Sequence, residues 1–193
     1  MKIDTQINQT LPPSFYKRDT VLVAQELLGK YIVSTVHDQL CVGMITETEA
    51  YCSDDPACHA YRGKTERNAM LFGDVGHAYI YCSYGLHFCL NVVARHEDML
   101  AGGVLLRAIQ PLAGHEYMQS RRAIADMRIL ANGPGKLTQA LGVTKDLLGI
   151  NMMRQGLLYI TQGVDVDPSL VVATSRIGIS VGTNLLWRFM IRC

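Results

Sequence analysis

Apolar and polar positions along the chain separate into short blocks. Asp19-Thr20 leads into an apolar stripe over residues 21–28, and Gly29 follows. A capping side chain, a stripe and a terminal glycine predict a helix there. Residues 31–36 and 41–48 predict two strands joined by a polar turn. Residues 79–82 and 88–93 predict a hairpin turning near Tyr84-Gly85. A further strand over 103–109 should stop at Pro111, with a helix following over 113–126. Asn132-Gly133-Pro134-Gly135 reads as a loop before a helix over 136–141. Late strands are expected at 157–162, 171–177 and 187–191. Strands arrive in adjacent pairs with helices between the groups. That order predicts an α+β fold, a single domain built on a largely antiparallel, curved β-sheet flanked by helices. Residues 1–10 carry no such pattern and are expected to be a flexible N-terminus, leaving 11–193 as one domain.

Composition narrows the class. A chain of 193 residues with 49% hydrophobic and 18% charged positions can bury a substantial core, which excludes a disordered protein. The net charge of +1 excludes a strongly basic nucleic-acid binder. Any contact with DNA must rest on a local basic patch, and its binding should be modest and salt-sensitive. The start of the chain is polar and lacks a secretion signal, so the six cysteines are expected to stay reduced in the cytoplasm. The richest apolar run, residues 79–94, is broken by Ser83, His87 and Asn91, so no membrane span of about 18 residues is expected.

Three segments could carry chemistry. In Glu47-Thr48-Glu49-Ala50-Tyr51, strand alternation puts both carboxylates and the tyrosine on one face. Two carboxylates so placed could raise one pKa and give a base; they could equally be a solvated strand end. Tyr79, Tyr81, Tyr84, His87 and Phe88 form an aromatic cluster. Tyr79 and Tyr81 share a strand face, and Tyr84 at the turn could wedge or stack against bases, although sheet packing accounts for most strand tyrosines. Asn132-Gly133-Pro134-Gly135-Lys136-Leu137 could hold one phosphate at a helix start, or be a plain turn. Cys52, Cys58 and His59 lack the close cysteine pair and the fourth ligand of a structural zinc site, so no metal is assigned. The dinucleotide fingerprint Gly-x-Gly-x-x-Gly is absent.

Taken together these blocks resemble the alkyladenine (3-methyladenine) DNA glycosylase family. The match runs from about Phe15 to Ile191 through Ile45-Thr46-Glu47-Thr48-Glu49-Ala50-Tyr51, Asp55, His59 and Thr65-Glu66-Arg67-Asn68. It continues through Gly76-His77-Ala78-Tyr79-Ile80-Tyr81, Tyr84-Gly85-Leu86-His87-Phe88-Cys89-Leu90-Asn91, Val104-Leu105-Leu106-Arg107-Ala108 and Gly133-Pro134-Gly135-Lys136-Leu137. The resemblance implies a base-excision repair enzyme that flips alkylated or deaminated purines out of double-stranded DNA and hydrolyses the N-glycosidic bond. It implies Glu49 as the general base for water and Arg107 as the residue holding that water. Tyr51, His59 and Tyr81 would grip the extruded base. Asn91 would disfavour guanine, and Tyr84 would fill the gap in the duplex. Arg67 and Lys136 fall in segments near the DNA backbone. The family uses water rather than an amine, which implies a monofunctional enzyme without cofactors, acting as a monomer. The loop from Cys52 to Cys58 is one residue shorter than in relatives and is expected to present His59 differently. The chain also stops soon after Trp187-Arg188-Phe189, where relatives continue; the effect is expected at the sheet edge rather than in the pocket. Two other readings compete: a non-catalytic RNA- or tRNA-binding module on the same fold, and a small-molecule hydrolase built on the Glu47/Glu49 pair.

Overall fold

The computed structural model describes residues 7–192. Its elements in chain order are α1 (Pro13–Tyr16), α2 (Thr20–Glu26), β1 (Tyr31–Ser34), β2 (Cys41–Cys52), β3 (Ala78–Ser83), β4 (His87–Val93) and β5 (Gly102–Ala113). They continue with α3 (His115–Arg122), α4 (Pro134–Leu141), β6 (Leu158–Thr161), β7 (Val171–Thr174) and β8 (Arg188–Ile191), with short 3-10 turns between. The fold is α+β, as the strand and helix order predicts. An eight-stranded sheet runs β3-β4-β5-β2-β1-β6, while β8 pairs with both β2 and β7. Every strand pair is antiparallel.

β2 is the hub of this sheet. It pairs with β5 along almost its whole length. Its other edge is shared: residues 41–44 pair with β1, and Glu47, Thr48 and Glu49 pair with Met190, Phe189 and Arg188 of β8. Register shifts at Ile45/Glu47 and Glu47/Thr48 mark the bulge where one neighbour gives way to the other. Below the sheet, α2, α3 and α4 close the main core. Val23, Ala24, Leu27, Met118, Leu137 and Leu141 meet Ile32, Ile45, Ala50, Leu90, Val92, Val104 and Leu106. A smaller cluster of Cys58, Ala60, Leu71, Tyr79, Val93 and Ala101 contains residues of the opposite pleat. The sheet is therefore sandwiched between helices and a long irregular segment.

Several element ends differ from expectation, each for a local reason. Asp19 caps α2 by accepting from the Leu22 N–H at 2.9 Å, but the helix closes at Glu26. β1 stops at Ser34, short of 36, where His37 and Asp38 take positive φ. β2 runs past 48 to Cys52, since β5 and β8 supply partners there. Pro111 does not end β5: it pairs with Gly43 beside a third register shift, at Val42/Gly43, so the ladder absorbs the missing donor. The helix expected over 113–126 shrinks to α3 because Gly114 and Ala123 adopt left-handed φ at its two ends. α4 starts two residues early, at Pro134, whose fixed φ suits a first helical position. Of the N-terminus expected to be flexible, residues 1–6 lie outside the described residues and Thr10 bridges to Thr161; Leu11, the first residue of the expected domain, is fully buried.

Leu106→Ala should lower stability by about 2–5 kcal/mol in urea unfolding, because Leu106 is fully buried between sheet and helices. A loss below about 1 kcal/mol would contradict the packing described.

Candidate active site

Register builds the site. Tyr79 pairs with Asn91, Asn91 with Leu105, Leu105 with Glu49, and Glu49 with Arg188, giving one transverse row on β3, β4, β5, β2 and β8. Strand alternation adds Tyr81, Tyr51, Gly103 and Arg107 to the same face. Over that face lies a cavity of about 340 Å³, within the usual range for small-ligand sites. Tyr51, His59, Tyr79, Tyr81, Asn91 and Arg107 line it, with Pro134 at the start of α4 and Ile177, Gly178 and Ile179 from the segment after β7.

Glu49 is completely buried and does not itself line the cavity. Three groups that do line it donate to its carboxylate. The Tyr51 hydroxyl donates to Oε2 at 2.8 Å, Arg107 Nη1 to Oε2 at 3.2 Å, and the Ile177 backbone N–H to Oε1 at 2.8 Å. A carboxylate has about four acceptor positions, so one is left for a further donor. Burial, and then the charge of Glu49, push the Tyr51 phenol well above its ordinary value, which keeps its proton available for donation. Burial disfavours the Arg107 charge, but Glu49 and Glu47 outweigh it and hold the guanidinium protonated.

Glu47 has a different environment. It accepts from Arg107 Nε at 2.9 Å and from Arg188 Nε at 2.6 Å. The two carboxylates thus do not face each other as a bare pair; Arg107 bridges them. The geometry for a hydrolase built on the Glu47/Glu49 pair is absent, because Glu47 is committed to two guanidinium groups.

Tyr79 and Tyr81 share the cavity face as their spacing predicts, whereas Phe88 of the same cluster packs on the main core and His87 lies outside the cavity. His59 Nδ1 lies 2.9 Å from the Tyr79 hydroxyl, and the His59 ring packs edge-on to Tyr81 with centroids 4.6 Å apart. The segment from Cys52 to Cys58 leads His59 to the cavity. Tyr79 and Tyr81 are 5.6 Å apart, and burial pushes the Tyr79 phenol up to about 12. Asn91 is buried and donates to the Tyr79 carbonyl at 3.1 Å. Burial pushes the Cys52 and Cys58 thiols up to about 12 and 11, so both stay protonated, and His59 turns away to Tyr79. Cys41, Cys52, Cys58, Cys82 and Cys89 are all free thiols.

Tyr84 sits at the cavity mouth and is 89% exposed. It and Gly85 both take positive φ at the β3–β4 turn, closed by the Leu86 N–H donating to the Ser83 carbonyl at 3.1 Å. A left-handed tyrosine costs roughly 1–2 kcal/mol, so this tip holds the ring outward at some expense. Arg67 is exposed, with Arg62 and Lys64, on the segment after His59. Its charge reaches His59. Three cations thus stand exposed on this segment, with Glu66 between Lys64 and Arg67. Lys136, in the first turn of α4, donates to the Asn132 side chain at 2.7 Å. α4 packs closely on the hairpin: a Cβ on Gly135 would lie 2.8 Å from the His87 Cβ.

A model of the family described as Methylpurine-DNA glycosylase (MPG) matches residues 14–193. The chain belongs to the methylpurine-DNA glycosylase family. It is 45% identical over 182 residues to a protein of Carboxydothermus hydrogenoformans, covering 94% of this chain and 95% of the relative. It is 47% identical over 187 residues to a protein of Methanoculleus marisnigri, covering 95% of each. A protein of Chlorobaculum tepidum is 47% identical over 180 residues, or 92% of this chain and 85% of the relative. Each of the three bears the name "Putative 3-methyladenine DNA glycosylase". As a member of this DNA glycosylase family, the chain is an enzyme of base-excision repair.

Some of the glycosylase site does not stand out in the sequence. Arg176, Ile177 and Arg188 fall in or beside segments that read as ordinary late strands. β7 stops at Thr174 because Arg176 turns inward to Asp55 and Ile177 to Glu49. A lone arginine inside an apolar stretch was the available signal. Gly178-Ile179-Ser180-Val181-Gly182 does fit the Gly-x-Ser-x-Gly pattern of a nucleophile elbow. It lies between β7 and β8 with no following helix, so the strand–turn–helix context of that motif is missing.

Burial of its inner edge, and then the Arg67 charge, hold the His59 pKa below the ordinary 6.5. An NMR titration should place its midpoint below 6.5, and Arg67→Ala should move it upward. A midpoint at or above 6.5 in the unsubstituted protein would contradict this arrangement.

Proposed function

We propose that this enzyme extrudes alkylated or deaminated purines from double-stranded DNA and hydrolyses their N-glycosidic bond with a water activated by Glu49. The observation that carries this reading is the buried carboxylate under an aromatic cavity, held by three donors that themselves line the cavity. Extrusion costs a few kcal/mol, and less for damaged or mispaired bases. Tyr84, already presented outward, takes the place of the lost base and slows its return. The extruded base enters among Tyr51, His59 and Tyr81. Stacking on such rings returns about 1–3 kcal/mol per base, and a cationic alkylpurine gains further from their electron-rich faces. Asn91 at the cavity floor disfavours guanine by crowding its exocyclic amine.

In the structure Glu49 is covered by Tyr51, Arg107 and Ile177, so bound DNA must part these groups enough to admit one water. Arg107 holds that water, and Glu49 accepts its proton as the oxygen bonds to the sugar carbon. The carbon–nitrogen bond breaks and its electron pair leaves with the base; this neutralises an alkylated purine, whereas a neutral deaminated purine must also take up a proton from solvent as it leaves. General-base help of this kind is worth roughly 10²–10⁴-fold, and the same carboxylate stabilises positive charge on the sugar. Among the described residues no lysine lines the cavity, which supports a monofunctional enzyme that leaves an abasic site. Arg67 and Lys136 contact the DNA backbone. The enzyme works as a cytoplasmic monomer without metal or organic cofactor; no helix among the described residues is long and apolar enough to cross a membrane.

Two substitutions separate chemistry from binding. Glu49→Gln should slow base release from methylated duplex DNA by at least about 10²-fold, while affinity for a duplex with an abasic analogue survives. Full activity in that variant would remove the mechanism and favour a binding module. Tyr84→Ser should weaken abasic-analogue binding by about 1–3 kcal/mol, measured by fluorescence anisotropy. An unchanged dissociation constant would rule out the wedge.

A further inference from the structure

Arg176 follows β7 on the segment that closes one side of the cavity, yet it does not line the cavity itself. Its side chain and that of Asp55 are wholly buried. The guanidinium donates to both Asp55 oxygens, to the Ala50 carbonyl at 2.9 Å and to the Gly182 carbonyl at 3.4 Å. Its central carbon lies 4.6 Å from the Tyr51 ring centroid and 5.3 Å from that of Trp187. Two of the three donors on Glu49 are thereby in direct connection with Arg176. One is Tyr51, whose ring it covers. The other is the N–H of Ile177, the next residue in the chain.

Stability alone does not call for an ion pair here, because buried pairs are often replaced by apolar side chains at no loss. An arginine supplies direction instead. Its fork locks onto one carboxylate plane while its flat face stacks on a ring, and lysine can do neither. Asp55 belongs to the loop that leads to His59, and Arg176 to the segment that supplies Ile177, Gly178 and Ile179. One clasp therefore ties together two walls of the cavity.

We propose that Arg176, held by Asp55, is a positioning residue for base excision: it aims the Tyr51 hydroxyl and the Ile177 N–H at Glu49 without touching that carboxylate or the bound base. This rests on the reading of Glu49 as the base. Misplacing a reacting group by about 1 Å can cost on the order of 100-fold in rate. The effect should fall on the chemical step and spare DNA binding.

The test is single-turnover base release from duplex DNA methylated with dimethyl sulfate. It yields a maximal rate constant and a half-saturating enzyme concentration, with urea unfolding of each variant alongside. Arg176→Lys and Asp55→Asn should lower the maximal rate about 10- to 100-fold with half-saturation unchanged. The paired replacement Asp55→Leu/Arg176→Met is apolar on both sides and keeps the fold without the fork. It should stay folded, less stable than the parent only because the Ala50 and Gly182 carbonyls lose their donor, and still be slow with half-saturation unchanged, a result that a merely structural role does not produce. A folded double variant working at the parental rate overturns the proposal, as does a loss that falls wholly on half-saturation. Glu49→Gln in the same assay tells the two failures apart. If it stays active, the reading of the base is wrong. If it is inactive while Asp55→Asn and the double variant keep the parental rate, only the positioning role fails.

Discussion

A fully buried carboxylate is tolerable only where donors meet it, and the architecture around Glu49 follows from that requirement. Each of its three donors comes from a different place: Tyr51 from two positions along β2, Arg107 from β5, and Ile177 from the segment after β7. Strand pairing fixes the first two. The third needs a strand to stop early and a backbone N–H to turn inward, which the Arg176–Asp55 clasp makes possible. Around this carboxylate, stability and function ask for the same geometry.

The pleat divides the labour. One set of alternating residues on β2, β4 and β5 packs on three helices and forms the main core. The other set makes the cavity floor, where polar and aromatic side chains replace aliphatic ones. Because the sheet is sandwiched, that second face can be dry and shaped without being exposed. Hydrogen bonds and cation–π contacts strengthen in such surroundings, and an aromatic wall suits both a flat base and a positive charge. The bulge in β2 lets one strand pair with β1 at one end and β8 at the other, which brings Arg188 to Glu47. Arg107 is thereby held at both ends of its guanidinium, by Glu47 through Nε and by Glu49 through Nη1.

The surface shows the same economy. Net charge is nearly zero, and Arg62, Lys64 and Arg67 stand exposed on the segment that follows His59. The hairpin tip keeps Tyr84 exposed in a left-handed conformation, while Gly135 lets α4 approach His87 closely beside the turn. The sheet thus carries a protruding ring beside a cavity, the arrangement that the proposed extrusion of a base requires.

Local pattern was enough for the α+β class, the β3–β4 hairpin with Tyr84 at its tip, a helix cap at Asp19 or Thr20 and the shared face of Glu47, Glu49 and Tyr51; the structure uses Asp19 as the cap. Each depends on a period of two or on neighbours within a few residues. The family resemblance grouped Tyr51, His59, Tyr81, Asn91 and Arg107, and the structure places them around one cavity. Tertiary structure decided the rest. β2 outran its expected end because its partners are more than 50 residues away, and Pro111 stayed in a strand because a bulge absorbed it. Glu47 and Glu49 look alike in sequence, yet one is tied to two arginines and the other accepts a tyrosine hydroxyl, an arginine and a backbone N–H. Arg176 and Ile177 lie about 130 residues from Glu49, so no local pattern could place them beside it. Alternation set which residues face the cavity; long-range pairing and buried charge set what each of them does there.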